Sequence, residues 1–170
     1  MNFRVVFGSL LLGCVGLTAP GSAAPAPQIR AKTVNDLAPL PLPYDTRANA
    51  ARQVAAARKA AIARKKLLLV DFGGNWCLDC RILAAVMERP EMRPFMAKHF
   101  ELVTVDIGRF DKNMAIPASY GFKKLEGVPA LLVVEPRTNK VLNRDRVLAL
   151  ADARTMTPQG LADWLASWTK

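Results

Sequence analysis

The sequence predicts an α/β fold with a central mixed sheet of about four strands, flanked by helices on both faces. Two observations indicate this class. Short apolar segments typical of strands alternate along the chain with longer segments typical of helices, in the order α-β-α-β-α-β-β-α. The 170 residues are 51% hydrophobic and 22% charged, which suits one domain with its own core plus a short extra segment and excludes a disordered or collagen-like chain.

The first residues have the composition of an export signal. Arg4 is followed by an apolar run and then by a stretch of small residues. We expect residues 1–23 to be a signal peptide that is cleaved after Ala23, which would place the protein in the periplasm. A second interpretation stays open, because the Leu-Leu-Gly-Cys sequence ending at Cys14 resembles a bacterial lipobox and would make this cysteine the lipidated first residue of an anchored protein. The apolar run is shorter than the ~20 residues that a membrane-spanning helix needs.

Residues 24–45 form a proline-rich segment. The segment contains five prolines and no sustained helical or alternating period, so we expect a linker or tether. An alanine-rich segment follows to about Arg64 and predicts a helix on propensity, with Asp45 or Thr46 as its cap.

Charge is unevenly distributed along the chain, whose formal net charge is +10. Residues 67–170 carry 14 basic and 12 acidic side chains, so this part is nearly neutral and no nucleic-acid groove is indicated. The excess lies at residues 47–66, where the basic side chains point in several directions on a helical wheel. We interpret this basic segment as a solvated helix surface, with contact to anionic lipid or an acidic partner as the alternative.

The remaining elements follow from apolar patterning and breaker residues. Residues 67–72 form a continuous apolar run that ends at a Gly-Gly pair, the pattern of a central strand buried on both faces. A turn containing proline separates the last two strands, which should therefore be antiparallel. The four expected strands are residues 67–72, 101–107, 130–135 and 141–144. The expected helices are residues 46–64, 77–88 with a continuation to about 98 after two prolines, 114–120 and 157–168.

Two cysteines remain once the signal is removed, and they form a single Cys-x-x-Cys motif. Cys77 and Cys80 directly follow a predicted buried strand and begin a helix, where backbone N–H groups and the helix dipole favour a thiolate. The spacing lets the two sulfurs form a disulfide across the first turn. We expect an accessible Cys77 to attack a disulfide and Cys80 to resolve the mixed disulfide. A zinc site is disfavoured because His99 is the one histidine, and a purely structural disulfide would close a very small loop.

Residues 70–80, Val-Asp-Phe-Gly-Gly-Asn-Trp-Cys-Leu-Asp-Cys, resemble the active-site stretch of the thioredoxin superfamily. The similarity is greatest to exported bacterial thioredoxin-like proteins with a Trp-Cys-x-Asp-Cys motif. It extends to Gly-Val-Pro-Ala at residues 127–130, where the family has a cis-proline loop facing the cysteines. An X–Pro bond can be held cis at a cost of roughly 0.5 to 1 kcal/mol. The resemblance covers about residues 46–170 and implies a thioredoxin fold for this domain.

Carried over by position, the resemblance also implies roles for individual residues. Cys77 would be the nucleophile and Cys80 the resolving thiol, with Trp76 as a flanking contact. Val128 would pair through its backbone with a substrate strand, and Pro129 would be the cis residue.

An acidic residue, Asp71, matches the buried acid that in this family moves the proton of the second cysteine. A separate argument leads to the same residue, because an acid near the end of an otherwise apolar strand should be desolvated, with a raised pKa suited to proton transfer. The sequence departs from the family pattern at Gly73, where an aromatic residue is usual, and at Leu78-Asp79, where Gly-Pro is usual.

The second of these departures bears on redox direction. Asp79 should oppose a thiolate at Cys77, since two charges ~6 Å apart at an effective dielectric of 20 to 40 repel by about 1.4 to 2.8 kcal/mol. A destabilised thiolate makes the disulfide harder to reduce, which favours a reductase or electron carrier over a strong oxidant.

These observations predict a thiol:disulfide oxidoreductase of the cell envelope that exchanges Cys77 and Cys80 with protein disulfides. No nucleotide-binding fingerprint occurs, so we expect no bound cofactor, and we also expect no metal and no nucleic acid. The resemblance implies a membrane-bound disulfide reductase as electron donor. The alternative is a non-catalytic peptide-binding module of the same fold, in which the cysteines form a structural disulfide.

Overall fold

A four-stranded mixed sheet organises the computed structural model, which describes residues 22–169. The strands are β1 (Leu67–Gly73), β2 (Phe100–Asp106), β3 (Ala130–Glu135) and β4 (Lys140–Val141), in the spatial order β2-β1-β3-β4. β1 pairs parallel with β2 and antiparallel with β3, and β3 pairs antiparallel with β4. The predicted thioredoxin fold is confirmed. The proposed signal peptide, with Cys14, lies outside the described residues except for its last two positions.

Five α-helices cover the sheet within residues 22–169. They are α1 (Ala50–Arg64), α2 (Leu78–Met87), α3 (Arg93–His99), α4 (Ala115–Ser119) and α5 (Pro158–Ala166). α1 and α4 contribute to the apolar cluster on one face of the sheet, and α2, α3 and α5 contribute to the cluster on the other. None of the described helices combines the length and the apolar character needed to cross a bilayer.

The central strand β1 is buried on both faces, as its apolar run predicts. Successive side chains of a strand point to opposite faces. Leu68, Val70 and Phe72 accordingly pack in the cluster of α1, and Leu69 packs in the cluster of α2. Asp71 shares the side of β1 that faces α2, which places an ionisable group between two apolar layers.

Two element ends, the start of α1 and the end of β4, differ from the sequence-based expectation by more than two residues. Asn49 caps α1 in place of Asp45 or Thr46, because its side chain accepts a hydrogen bond from the Arg52 backbone at 3.0 Å. The strand expected at residues 141–144 ends at Val141.

The early end of β4 has a side-chain cause. The Asn143 amide accepts a hydrogen bond from the Val133 backbone and donates one to the Leu131 carbonyl, both at 2.8 Å. A buried side chain therefore takes the place of a strand backbone along β3.

Residues 24–45, expected as a linker, pack along the folded body. Ile29, Leu37 and Tyr44 are buried in the two apolar clusters. The Arg81 guanidinium on α2 donates hydrogen bonds at 3.0 Å to two carbonyls of the segment. The buried side chains of this segment are spaced with neither a helical nor a strand period. Their burial therefore could not be predicted from the sequence.

Candidate active site

The two cysteines lie where β1 is followed by α2. Cys77 is the N-cap of α2, and its sulfur accepts a hydrogen bond from the Cys80 backbone N–H at 3.1 Å. The two residues form a disulfide, with Cα atoms 5.3 Å apart. The Cys77 sulfur thus lies at the N-terminus of α2, where the helix dipole stabilises negative charge.

Access to the two sulfurs is unequal. Cys77 keeps 5% of its surface exposed and Cys80 keeps none, so an incoming disulfide can reach Cys77 and not Cys80. This asymmetry matches the order of roles that the sequence predicts. The opening is narrower than expected for a freely accessible sulfur, because Cys77 is itself packed in an apolar cluster, whereas its neighbours Trp76 and Leu78 are exposed.

The loop before β3 faces the first cysteine. The Val128–Pro129 peptide bond is cis, as the sequence predicts. The Val128 carbonyl oxygen lies 3.6 Å from the Cys77 sulfur, so the backbone that would pair with a substrate strand lies directly beside the disulfide. The roles of Val128 and Pro129 in holding a client stay predictions.

Asp71 is fully buried on β1, an inner strand of the sheet. Burial raises the pKa of its carboxyl from 3.8 to about 7, while a hydrogen bond from the Tyr44 hydroxyl, 3.0 Å from Oδ2, acts in the opposite direction. The other oxygen, Oδ1, has no hydrogen-bond partner among the described residues. The predicted rise in pKa is confirmed, and the carboxyl can gain or lose a proton near neutral pH.

Asp79 is held in an ion pair that the sequence does not reveal. Its carboxylate accepts hydrogen bonds from the Arg154 backbone at 2.8 Å and from Nε and Nη2 of the same residue. Burial would raise the pKa of Asp79, but the hydrogen bonds and charge of Arg154 outweigh it and the pKa is lowered. The expectation that Asp79 acts on Cys77 as an uncompensated charge is therefore wrong, and the argument from it for redox direction loses its basis.

An aromatic surface lies beside Cys77. The Trp76 indole N–H donates a hydrogen bond to the Gly108 carbonyl at 2.7 Å. The Arg109 Cζ atom lies 4.2 Å from the centroid of the Trp76 ring. The centroids of the Trp76 and Phe110 rings are 6.4 Å apart. Trp76 and Phe110 are both exposed. The sequence gives no local signal of this stacking, because Trp76 and Arg109 are 33 positions apart.

The side chains assembled here suit thiol–disulfide exchange. Cys77 offers a reachable sulfur, Cys80 a buried second sulfur, and Asp71 a group that exchanges protons near neutral pH. Within residues 22–169, no three His, Cys, Asp or Glu side chains are grouped so that they could hold a metal ion.

Comparison with known proteins gives consistent matches. A family model described as thioredoxin-like matches residues 49–136, slightly more than half of the chain. The crystal structure of a disulphide isomerase from Xylella fastidiosa Temecula1 is 40% identical in sequence, with a TM-score of 0.69, over 75% of this chain and 96% of the isomerase chain.

Two curated relatives are thioredoxins of Buchnera aphidicola. That of subsp. Schizaphis graminum is 30% identical over 79 residues, which cover 46% of this chain and 66% of the relative. That of subsp. Baizongia pistaciae is 38% identical over 71 residues, which cover 41% of this chain and 56% of the relative. The chain therefore aligns with less than two thirds of the length of these thioredoxins.

Proposed function

Because this chain belongs to the thioredoxin-like family, we propose that it is a thiol:disulfide oxidoreductase that exchanges the Cys77–Cys80 pair with disulfides of other proteins. The observation that carries the proposal is the joint geometry of three groups. A disulfide at a helix N-terminus has its less buried residue, Cys77, beside the Val128 carbonyl. The Tyr44 hydroxyl, which lies in the same small space as the Cys80 sulfur, donates a hydrogen bond to the buried carboxyl of Asp71, whose pKa is about 7. The similarity to a disulphide isomerase over most of both chains supports the same chemistry.

The exchange requires two substitutions at sulfur. In the reduced protein, the Cys77 thiolate attacks a client disulfide, a Cys77–client bond forms, and the displaced client sulfur leaves as a thiolate that takes a proton from solvent. Cys80 then gives its proton to the Asp71 carboxylate and attacks the Cys77 sulfur. The Cys77–Cys80 bond forms, the second client sulfur leaves as a thiolate, and two electrons have passed from the protein to the client.

We assign the protein the role of reductase or electron carrier, with a membrane-bound disulfide reductase returning the two electrons. Because Arg154 neutralises the charge of Asp79, this carboxylate gives no support for a reducing role. The reduction potential of the Cys77–Cys80 disulfide therefore decides whether the protein reduces its clients. We expect a value well below that of strong periplasmic oxidants. A potential near that of such oxidants, roughly −120 mV, would overturn the assignment.

The N-terminal sequence supports a proposal for where the protein acts. We propose export to the cell envelope, with residues 1–23 removed as a signal or with Cys14 lipidated. The intact mass of the mature protein distinguishes the two, because lipidation at Cys14 adds acyl chains and retains residues that cleavage after Ala23 removes. The basic segment at residues 47–66 lies largely on α1, and its contact with anionic lipid or an acidic partner stays a proposal.

Insulin reduction tests the proposed activity. Wild-type protein should catalyse precipitation of insulin chains in the presence of dithiothreitol, and Cys77→Ser should abolish catalysis because the reachable sulfur is lost. A peptide-binding module with a structural disulfide gives a different result, because neither protein would catalyse reduction and both would bind an unfolded peptide equally well.

A further inference from the structure

We propose that Tyr44, which the segment before α1 supplies, is a positioning residue for proton transfer between Asp71 and Cys80. The inference rests on the proposed function, since it concerns the second substitution, in which Cys80 attacks the mixed disulfide. It adds a part of the chain that lies outside residues 49–136, the range matched by the family model, to the working machinery of the site.

The contact of Tyr44 with Asp71 is direct and buried. Tyr44 is 2% exposed, and its hydroxyl donates a hydrogen bond to Asp71 Oδ2 at 3.0 Å. This hydrogen bond fixes the orientation of the carboxyl group and occupies one of its two oxygens. Oδ1, which has no partner among the described residues, is left as the atom that can take a proton.

The same hydroxyl lies close to the Cys80 sulfur. A Cβ added to Gly73 would collide with the Tyr44 hydroxyl oxygen and would lie 2.7 Å from the Cys80 sulfur. Tyr44 and Cys80 therefore occupy the same small space above Gly73, and their polar atoms both lie within 3.0 Å of one point in it. The hydroxyl borders both the donor and the acceptor of the proton that Cys80 must lose.

The backbone around Tyr44 is held at several points by the active site itself. The Asn75 side chain accepts a hydrogen bond from the Tyr44 N–H at 3.0 Å and donates one to the Tyr44 carbonyl at 2.8 Å. Thr104 on β2, the register partner of Asp71, donates through its hydroxyl to the Pro43 carbonyl at 2.9 Å. Contacts at both peptide groups of one residue determine where its side chain points, so the segment delivers the phenol to a defined position.

Burial, together with nearby charge, keeps the Tyr44 phenol in its protonated form. Burial, followed by the charge and hydrogen bond of Asp71 and by the charge of Asp106 on β2, raises the pKa of Tyr44 well above its usual value. Lys112 lies 3.5 Å from Asp106 and partly balances it. The titratable side chain that α2 brings to this space is Cys80, whose sulfur lies with the Tyr44 hydroxyl next to Gly73. A phenol that stays protonated donates its hydrogen bond preferentially to the carboxylate form of Asp71 and so opposes the effect of burial.

The consequence for exchange is a shift in its pH dependence. Without the hydroxyl, Asp71 would hold its proton to higher pH, and less carboxylate would be available at pH 7 to accept the proton of Cys80. Loss of a hydrogen bond to a charged group corresponds to a shift of about one pH unit or more. At pH 7 a shift of that size leaves about five-fold less carboxylate, and the second substitution should slow by the same factor.

Stopped-flow reaction of the reduced protein with Ellman's reagent separates the two steps. The first release of thionitrobenzoate reports attack by Cys77, and the second reports attack by Cys80 on the mixed disulfide. Tyr44→Phe should leave the first phase unchanged and move the pH midpoint of the second phase upward by about one unit. Tyr120→Phe is the control, because it removes the other tyrosine hydroxyl, which is also buried and makes no hydrogen bond to Asp71. It should change neither the rate of the first phase nor the pH midpoint of the second.

Fluorinated tyrosine provides a second test that keeps the ring. The chain has two tyrosines, so Tyr120→Phe protein grown on 3-fluorotyrosine carries fluorine only at position 44. The more acidic hydroxyl donates a stronger hydrogen bond, and the midpoint of the second phase should move downward, opposite to Tyr44→Phe. An unchanged midpoint in the fluorinated protein, or equal slowing of both phases in Tyr44→Phe, would overturn the inference. A wild-type protein that does not reduce insulin would overturn the proposed function instead.

Discussion

The buried carboxyl of Asp71 makes the stability of the oxidised protein depend on pH in a direction opposite to that of most acidic groups. Its pKa is 3.8 in the unfolded chain and about 7 in the folded one. The folded protein therefore keeps a proton that the unfolded chain has already released, and the free energy of unfolding falls as the pH rises between these values. Asp71→Asn puts a neutral group of nearly the same shape at this position and removes the dependence.

The size of the effect follows from the two pKa values. At about 1.36 kcal/mol per pKa unit, the rise from 3.8 to about 7 corresponds to about 4 kcal/mol. The buried amide that Asp71→Asn introduces adds a cost of its own for an unpartnered N–H, about 1–3 kcal/mol, but that cost is the same at every pH. The informative quantity is thus how the difference in free energy of unfolding between Asp71→Asn and wild type changes with pH.

Urea unfolding of the oxidised proteins at several pH values measures this quantity. The free energy of unfolding of Asp71→Asn minus that of wild type should increase by about 4 kcal/mol from pH 4 to pH 8. Asp79→Asn is the matched control, since the pKa of Asp79 is lowered and its contribution is lost only as the pH falls below the usual range for an acid. A difference for Asp71→Asn that stays constant over pH 4–8 would refute the assignment of a desolvated, protonatable carboxyl.

Other substitutions test neighbouring contacts. Gly73→Ala should lower the Tm of the oxidised protein, because the added Cβ would collide with the Tyr44 hydroxyl; an unchanged Tm in calorimetry would contradict the close packing there. Arg154→Met leaves Asp79 without its ion-pair partner, and the unbalanced carboxylate should destabilise the Cys77 thiolate. The pH midpoint of Cys77 alkylation by iodoacetamide should then rise by about one unit, and an unchanged midpoint would mean that Asp79 does not act on the thiolate. Deletion of residues 24–45 should lower the free energy of unfolding by several kcal/mol, at about 1.5–3 kcal/mol for each large apolar side chain that loses its burial, and a denaturation midpoint equal to that of the full protein would contradict the packed segment.

The sheet and the dithiol could be predicted because their signals are local. The apolar run at residues 67–72 and the Gly-Gly pair after it indicate a buried strand and its end within a few positions. Cys77 and Cys80 lie next to that strand, so one stretch of the chain carries both the fold signal and the chemistry. Asp71 could be identified for the same reason, since an acid inside an apolar strand is conspicuous in the sequence.

The partners of these residues could not be predicted, because they come from distant positions with no pattern of their own. Arg154 is 75 residues from Asp79, and Tyr44 is 27 residues from Asp71. The proline-rich composition around Tyr44 indicated a tether, although single apolar side chains spaced irregularly along it are buried. The glycine at position 73, which departs from the aromatic residue usual in the family, is explained by the Tyr44 hydroxyl and the Cys80 sulfur that fill the space next to it.

Trapping of a mixed disulfide shows whether Cys77 attacks a protein disulfide. Reduced Cys80→Ala protein is incubated with an oxidised client such as insulin, quenched with acid and analysed by peptide mass spectrometry. We expect a covalent complex joined through Cys77, which persists because the Cys80 sulfur is missing, and no complex with Cys77→Ser. If Cys80→Ala protein that is folded by circular dichroism forms no complex, Cys77 does not exchange with protein disulfides and the proposed activity is wrong.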